Sequence, residues 1–178
     1  MSEEYLDVLN NRGEQTGQSK SYIDAHKYGL IHRAVHVWIL NTKNQLLLQK
    51  RSADRRAYPN YWDISVSGHI SSEETSLEAA KNETQEEIGL NLPSSAFTYL
   101  FTLEEHIVLN GGTYVNNEFQ DVYLVRLEKN ISDIQFDKIE LSDVQWVDME
   151  EFRNLIGDEK YKLVSHDEEY RRLFEYIR

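Results

Sequence analysis

The sequence predicts one α/β domain in which helices cover a mixed β-sheet, an α/β/α sandwich. Runs of β-prone residues outnumber helical patterns and are interleaved with them along the chain. The 178 residues include only 2 Pro and 8 Gly, and no repeat or linker-like stretch divides them. We therefore expect residues 1–178 to form a single domain with its own hydrophobic core.

β-branched and alternating apolar residues predict two hairpins and four further strands. A short N-terminal hairpin begins with residues 5–9 and turns at residues 10–13. A second hairpin is predicted from residues 34–40 and 45–49, which the polar turn 41–44 joins. The further strands are predicted at residues 62–67, 97–109, 114–127 and 144–147.

Helical patterns occupy three segments, residues 76–88, 149–156 and 167–177. Asp148 directly precedes the second segment and is a suitable N-cap, because its side chain can accept a hydrogen bond from a free backbone N–H. Many strands combined with a few helices favour the sandwich over an all-β fold.

The charge balance of the chain is strongly acidic. Lys and Arg number 19 against 31 Asp and Glu, so the formal net charge is −12. This charge repels nucleic acids and anionic lipid surfaces, so we expect neither as a partner. A phosphorylated small molecule is still compatible with it, because a bound cation or a local basic cluster can reverse the field inside one pocket.

The chain contains no cysteine, which excludes disulfides, thiolate metal sites and a cysteine nucleophile. Its first residues, MSEEYLDVLN, have neither the basic nor the apolar region of a signal peptide. No run approaches the roughly 18 apolar residues that a membrane helix needs. We therefore expect a cytoplasmic protein.

The predicted helix 76–88 carries three glutamates on one arc. At about 100° per residue, Glu83, Glu86 and Glu87 lie together beside an apolar stripe. No Lys or Arg lies three or four positions from them, and like charges at this spacing destabilise a helix by roughly 0.2–0.5 kcal/mol per pair. A solvated acidic face is one interpretation. A divalent cation that relieves the repulsion is the other, and oxygen ligands suit Mg²⁺ or Mn²⁺.

Residues 68–90, GHISSEETSLEAAKNETQEEIGL, resemble the Nudix box, G-x5-E-x7-R-E-U-x-E-E-x-G-U, in which U is aliphatic. Seven of the nine specified positions match. The departures are Asn82, where the family has arginine, and Thr84, where it has an aliphatic residue. The family's arginine orients box carboxylates, and an amide can hydrogen-bond to them but brings no charge.

The resemblance implies a Nudix-type α/β/α sandwich in which the box forms a loop, a helix and a loop around Mg²⁺ or Mn²⁺ and a diphosphate. It implies Glu83, Glu86 and Glu87 as metal-site carboxylates, and Gly68 as the source of a carbonyl ligand. Glu140 lies six residues before a tryptophan, where the family has a further carboxylate. We expect Glu83 or Glu140 to act as the base; an ordinary solvated glutamate is the alternative for Glu140.

Outside the box the chain resembles the Nudix branch that contains isopentenyl-diphosphate isomerase. The N-terminal hairpin and the segments 47–51, 58–62 and 67–69 occur in the expected order. In the isomerase, histidines and glutamates build a separate divalent-metal site. The resemblance implies such a site from four residues, with Asn116 in place of a further glutamate: His26, His32, His69 and Glu118. For each histidine, an ordinary surface imidazole or a buried, hydrogen-bonded one is the alternative.

Two arginines, Arg51 and Arg55, match positions at which that branch holds a diphosphate. A guanidinium group can donate two parallel hydrogen bonds to phosphate oxygens. Solubilising surface charge is the alternative, but a basic cluster is unusual in so acidic a chain.

The leading functional expectation is a Mg²⁺- or Mn²⁺-dependent hydrolase that cleaves a small-molecule diphosphate by attack of water on phosphorus. Isopentenyl-diphosphate isomerisation is disfavoured because Ser67 stands where the isomerase has its cysteine, and a hydroxyl is far less acidic than a thiol. A nucleotide-binding domain without activity is the third alternative, which Asn82 leaves open. The residues determine neither the substrate nor the oligomeric state.

Overall fold

The computed structural model describes residues 4–177. Its strands and helices follow one another in this order: β1 Tyr5–Leu9, β2 Gln15–Ser21, α1 Tyr22–Tyr28, β3 His32–Leu40, β4 Gln45–Arg51, β5 Trp62–Asp63, β6 Val66–His69, α2 Ser76–Ile88, β7 Phe97–Leu109, β8 Tyr114–Arg126, β9 Leu141–Asp148, α3 Met149–Leu155 and α4 Asp167–Tyr176. Within this part of the chain, no helix is long and apolar enough to cross a membrane.

A mixed sheet of seven strands forms the centre of the fold, and β1 and β2 form a separate antiparallel hairpin. Strand β3 runs parallel to β8 and antiparallel to β6. The long strands β7 and β8 are antiparallel, and β4 pairs antiparallel with β5 and β9. The predicted mixed sheet and N-terminal hairpin are therefore confirmed.

Helices cover the two faces of the sheet because side chains of β3 alternate between two cores. Val35, Val37 and Ile39 belong to the core that contains the buried face of α2. Trp38 and Leu40 belong to the core that contains the buried residues of α3 and α4. The predicted α/β/α sandwich is confirmed.

The structure corrects the predicted hairpin of residues 34–40 and 45–49. The turn forms, and the backbone N–H of Asn41 donates to the carbonyl of Gln45. Only Leu40 and Leu46 pair across the two strands, because β4 turns away to pair with β9 while β3 pairs with β6 and β8. Both strands are buried by distant parts of the chain, and a local turn signal does not reveal such partners.

Two further differences concern short elements. The predicted strand 62–67 divides into β5 and β6, because the Ser65 side chain accepts from the N–H of Ile39 and donates to the carbonyl of Leu47. The seven-residue helix α1 was not predicted. The serine and glycine at its two ends are typical helix caps and could have indicated it in the sequence. Ser21 accepts a hydrogen bond at the N-terminus, and Gly29 adopts a left-handed conformation with φ 62°.

The three predicted helices are present. Helix α2 spans the predicted residues, while α3 and α4 each end one residue early. The Asp148 side chain caps α3 by accepting from the N–H of Glu150, as predicted.

Phe152→Ala should lower the free energy of unfolding by about 3–5 kcal/mol. The Phe152 side chain is fully buried and contacts the rings of Trp38 and Tyr170, so truncation leaves a cavity. Urea unfolding at neutral pH measures the change. Ile139→Ala, at a residue that is 73% exposed, is the control and should stay within about 0.5 kcal/mol of the parent. Equal effects of the two substitutions would contradict this assignment of the core.

Candidate active site

A cavity of about 890 Å³ lies beside the box helix α2 and is large enough for a small organic ligand. Helix α2 contributes Glu83 and Glu86 to its wall, and the loop after β4 contributes Arg55. Strand β8 contributes Glu118, and His166 comes from the segment before α4. Distant parts of the chain thus face one shared space.

Helix α2 is held at its start by a reciprocal capping box. The Thr75 side chain accepts from the N–H of Glu78, and the Glu78 carboxylate accepts from the N–H of Thr75. Near its other end Glu87 is buried, and its Oε2 accepts hydrogen bonds from Gln49 Nε2 at 3.2 Å and from the N–H of Ser67 at 3.1 Å. These contacts fix one of the three predicted glutamates against the sheet.

Glu83 lies directly against Gly68. A Cβ atom at position 68 would be 2.0 Å from Glu83 Cδ and 2.3 Å from Oε1. Only glycine leaves room for this approach, which explains in steric terms why the box begins with that residue. The structure therefore brings together Gly68, Glu83 and Glu87, as the sequence predicted.

The carboxylates of this group destabilise one another's charge. Burial, followed by the negative charge of Glu87 and Glu86, raises the pKa of Glu83 to about 9. Burial, followed by the charge of Glu140, raises the pKa of Glu87 to about 8. Within residues 4–177, no basic side chain pairs with Glu83 or Glu86, so a cation is the complementary ligand.

Glu140 lies near the box carboxylates and lines the same cavity. Its Oε2 accepts a hydrogen bond of 2.9 Å from Arg55 Nη1, and both side chains are about one-third exposed. Arg51 is in a different environment: its Nη1 donates to Asp63 Oδ2 at 3.1 Å and its Nε donates to the carbonyl of Ala57. Both predicted arginines line the cavity, but Arg51 is buried and already ion-paired.

Asn82, the departure from the box pattern, donates from Nδ2 to Glu74 Oε1 at 2.6 Å. Glu74 also accepts from the N–H of Ser71 through its other oxygen. The amide thus holds a box carboxylate in place, although it supplies no positive charge. Thr84 is buried at the other departure, where its hydroxyl donates to the carbonyl of Ala80.

The four residues of the predicted histidine site are brought together, with one candidate ligand atom from each within 4.8 Å of the others. His32 Nε2 and His69 Nε2 each lie 3.2 Å from Glu118 Oε1. Nδ1 of His26 and of His32 lies 2.8 Å from a backbone carbonyl, which fixes a proton on that nitrogen. Burial disfavours the charged imidazole of His32, but Glu118, which faces its Nε2, outweighs burial and raises the pKa of His32. Burial, and then the neighbouring His69, lowers the pKa of His26 to about 4, so this imidazole is neutral.

The sequence reasoning missed a second polar cluster, formed by His36, His166 and Glu169. His36 Nδ1 lies 2.7 Å from Glu169 Oε2, and Trp38 Nε1 donates to Glu169 Oε1 at 2.6 Å. His166 Nε2 lies 3.1 Å from Asp63 Oδ1. A histidine within the apolar strand β3 was the only signal in the sequence; its partners come from distant segments.

A family model described as the NUDIX domain matches residues 30–172. The chain belongs to the Nudix family. The chain is 46% identical to Nudix hydrolase 3 of Arabidopsis thaliana over its whole length, but it spans only 24% of that plant protein. It is 35% identical to an uncharacterized Nudix hydrolase of Listeria monocytogenes, covering 85% of this chain and 84% of that protein. These relatives support a hydrolase enzyme.

The predicted relation to the isomerase branch is also confirmed. The chain is 30% identical to isopentenyl-diphosphate Delta-isomerase of Klebsiella pneumoniae, over 84% of this chain and 78% of that protein. Among solved structures, DR0079 of Deinococcus radiodurans superposes with a TM-score of 0.75 and 25% identity, covering 95% and 98% of the two chains. The NUDIX domain of Shewanella oneidensis NrtR, solved with ADP ribose, gives a TM-score of 0.61 at 15% identity over 82% of this chain and 87% of that one, a likeness of fold.

Gly68→Ala should displace the Glu83 side chain and leave the fold intact. The atoms that a new Cβ would meet belong to the Glu83 side chain, which can rotate away, so we expect the free energy of unfolding to fall by about 1–3 kcal/mol. A crystal structure of the variant, together with urea unfolding, tests this. Ser67→Ala on the same strand is the control. If Glu83 keeps its position in the alanine variant, the close approach is not a constraint.

The pH dependence of stability should reveal the ion pair of His166 with Asp63. Burial disfavours the charged imidazole, but Asp63 and Glu105 outweigh it and raise the pKa of His166 well above its usual value. The native state therefore holds a proton that the unfolded state releases, and this stabilisation is lost as the pH rises through the raised pKa. Burial likewise opposes ionisation of Asp63, yet His166 and Arg51 lower its pKa, so its contribution is lost at acidic pH.

Urea unfolding between pH 3 and pH 10 measures this effect as the difference between the parent and His166→Gln. The stability advantage of the parent should be largest between about pH 4 and pH 6, above the ordinary pKa of aspartate and below that of histidine, and should shrink toward both extremes. His106→Gln, at an exposed histidine, is the control. A parent advantage that does not change with pH would show that His166 is not held in its charged form.

Proposed function

We propose that the chain is a divalent-metal-dependent Nudix hydrolase that cleaves a diphosphate linkage in a nucleoside diphosphate derivative or a related small molecule. The observation that carries the proposal is the crowding of Glu83, Glu86, Glu87 and Glu140 beside one cavity, with Arg55 as the nearby basic group. Carboxylates whose charge is disfavoured until a cation arrives are suited to holding one next to phosphates.

Mg²⁺ or Mn²⁺ fits this donor set, because both prefer oxygen ligands. Glu83, Glu86 and Glu87 would hold the ion, with the Gly68 carbonyl beside them. When bound, the ion supplies neutralisation of phosphate charge and acidification of water.

The proton of the attacking water would be accepted by Glu83 or Glu140. Both line the cavity, but their surroundings differ: Glu83 is surrounded by like charge, whereas Glu140 is bonded to Arg55. Arg55 is about one-third exposed and can hydrogen-bond to a phosphate oxygen. Arg51 contributes positive charge from a fixed position on Asp63 rather than through a free guanidinium.

We also propose that His26, His32, His69 and Glu118 hold a second divalent ion. The buried Nε2 of His26 has no hydrogen-bond partner within residues 4–177, and the other two imidazoles converge on one carboxylate oxygen. The neutral imidazole of His26, the imidazoles of His32 and His69, and the buried carboxylate of Glu118 form a suitable donor set.

Isomerisation of isopentenyl diphosphate is the second candidate, favoured by the isomerase relatives and by the histidine cluster. Ser67 weighs against it, since this residue lines the cavity but cannot supply the acidity of a thiol. A binding domain without activity is less well supported, because Asn82 still holds Glu74 of the box.

The proposed partner is a small-molecule diphosphate rather than a nucleic acid or a membrane, given the net charge of −12. The absence of cysteine from the chain is compatible with a cytoplasmic location, which we also propose.

Glu86→Gln and Glu87→Gln should each weaken Mg²⁺ or Mn²⁺ binding at the box by about tenfold or more, equivalent to about 1.4 kcal/mol. Isothermal titration calorimetry measures this loss of affinity at the box. His32→Gln should abolish binding at the proposed histidine site and leave binding at the box unchanged. In the parent, metal at a hundredfold excess over Kd should add about 2.7 kcal/mol to the free energy of unfolding. Glu78→Gln, which lies at the start of the same helix, is the control. Metal binding by both box variants as tight as in the parent would refute the assignment.

Ser67→Ala should leave turnover within about tenfold, equivalent to about 1.4 kcal/mol of barrier, whereas Glu83→Gln should reduce it far more. A phosphate-release assay on nucleoside diphosphates measures both. A parallel proton NMR time course follows isopentenyl diphosphate in deuterated water with Mg²⁺. Deuterium incorporation by the parent, increased in Ser67→Cys, would establish the isomerase instead.

A further inference from the structure

One face of strand β7 forms a cavity wall that the proposed chemistry at phosphorus does not use. Side chains of a strand alternate between its two faces, and Glu105, Ile107 and Leu109 all line the cavity. On the opposite face, Glu104 and His106 are exposed to solvent. Glu105 is therefore a carboxylate on a mainly apolar strand face that points into the cavity.

The Glu105 carboxylate is fixed in place by its neighbours on β8. Its Oε2 accepts hydrogen bonds from Asn116 Nδ2 at 3.1 Å and from Gln120 Nε2 at 2.9 Å. Its Oε1 lies 3.5 Å from His166 Nδ1, and the Glu105 side chain is 17% exposed. The carboxylate is thus oriented, and its side chain lines the cavity and is partly exposed to it. An ionised carboxylate offers acceptors only, so its complement in a ligand is a hydrogen-bond donor.

His166 contacts the other oxygen of the Glu105 carboxylate, Oε1. Its Nε2 lies 3.1 Å from Asp63 Oδ1 while its Nδ1 faces Glu105, so each ring nitrogen is opposite a carboxylate oxygen. A neutral imidazole can donate from one nitrogen only, and this arrangement is therefore complementary to the imidazolium form. Nδ1 is buried and makes no regular hydrogen bond to residues 4–177, so Glu105 is held there by charge rather than by a full hydrogen bond.

The local charge count favours a neutral donor over a cationic one. Arg51 and the His166 imidazolium balance Asp63 and Glu105, and the neighbouring His36 is paired with Glu169, so the charged groups around Glu105 form balanced pairs. An ammonium ion would add an uncompensated charge in a largely buried place, whereas a hydroxyl adds none. A purely apolar ligand would cover the Glu105 oxygen without offering it a donor, which costs the desolvation of a charged acceptor.

We propose that Glu105 is a specificity-determining residue that accepts a hydrogen bond from a hydroxyl of the substrate's organic group, and that His166 positions it. This inference rests on the proposed diphosphate hydrolysis and narrows its substrates. Compounds whose organic group carries sugar hydroxyls are selected, and prenyl diphosphates, which have none, are rejected. A site built to bond a hydroxyl discriminates strongly against an analogue that lacks it.

The test compares ADP, CDP, GDP and UDP with their 2′,3′-dideoxy analogues, together with UDP-glucose and dimethylallyl diphosphate. Chromatographic measurement of the monophosphate products formed with Mg²⁺ gives kcat/KM for the parent, for Glu105→Gln and for His166→Gln. The glutamine at position 166 can keep the hydrogen bond to Asp63 but lacks a donor in the place of Nδ1. Glu104→Gln, on the opposite face of β7, is the matched control.

The parent should prefer a hydroxyl-bearing compound over its dideoxy analogue or over dimethylallyl diphosphate by at least about tenfold. Glu105→Gln should reduce that preference to within about threefold by weakening turnover of the hydroxyl-bearing compounds only. His166→Gln should act in the same direction to a smaller extent, and Glu104→Gln should change nothing. If the role of His166 were only structural, His166→Gln would lower kcat/KM for all compounds by the same factor.

Equal turnover of hydroxyl-bearing and hydroxyl-free compounds by the parent, or an equal loss of both in Glu105→Gln, would overturn the subsite and leave the hydrolase standing. If the parent cleaves the diphosphate of none of these compounds, the proposed function fails. ¹⁵N NMR of the His166 ring then tests the subsite by itself. A shift of the ring resonances with a ribonucleotide but not with its dideoxy analogue supports it, and no shift with either refutes it.

Discussion

The burial of strand β3 on both faces is the constraint from which the arrangement of the site follows. Val35, Val37 and Ile39 must face the box helix, and Trp38 and Leu40 must face the C-terminal helices. This alternation positions α2 on one side of the sheet and α4 on the other. The polar positions of the same strand are then directed to the cavity or to buried partners, because no other place for them exists in a strand covered on both faces.

The proposed metal site of the box opposes the stability of the fold. Glu83 and Glu87 lie where burial and like charge raise the pKa of each carboxyl, which is unfavourable for the folded chain without a cation. The surrounding structure holds them there through the capping box of α2, through Gln49 and through the space left by Gly68. Crowded carboxylates of this kind are expected where binding of a cation is the purpose of the site.

The polar groups of the cavity form a connected set. Gln120 Nε2 donates to Glu118 at 3.2 Å and to Glu105 at 2.9 Å, and thereby connects the histidine cluster with the β7 wall. From Glu105 the contacts continue through His166 to Asp63. Because each member is held by the next, removal of one group should disturb its neighbours, and the effects of substitutions within this set should not be additive.

By itself the sequence determined the class of fold, most strands, three of the four α-helices within residues 4–177 and the residues of the box helix. These features depend on local periodicity, on caps and on one long gapped motif, and each of these signals lies within one short continuous segment of the chain. The approach of Glu140 and the gathering of His26, His32, His69 and Glu118 were inferred from the resemblance rather than from the pattern, and the structure brings them together.

Only the tertiary structure decided which strands are neighbours and which polar residues share a wall. Strand β4 pairs along its length with β9 rather than with β3, its neighbour in the sequence. His166 contacts Asp63, which lies 103 positions away in the chain. The same folding buries Arg51 against Asp63, although its sequence gives no sign that it differs from Arg55. Such contacts depend on how layers of the sandwich are stacked, and a one-dimensional pattern carries no information about distance between segments that are far apart in the chain.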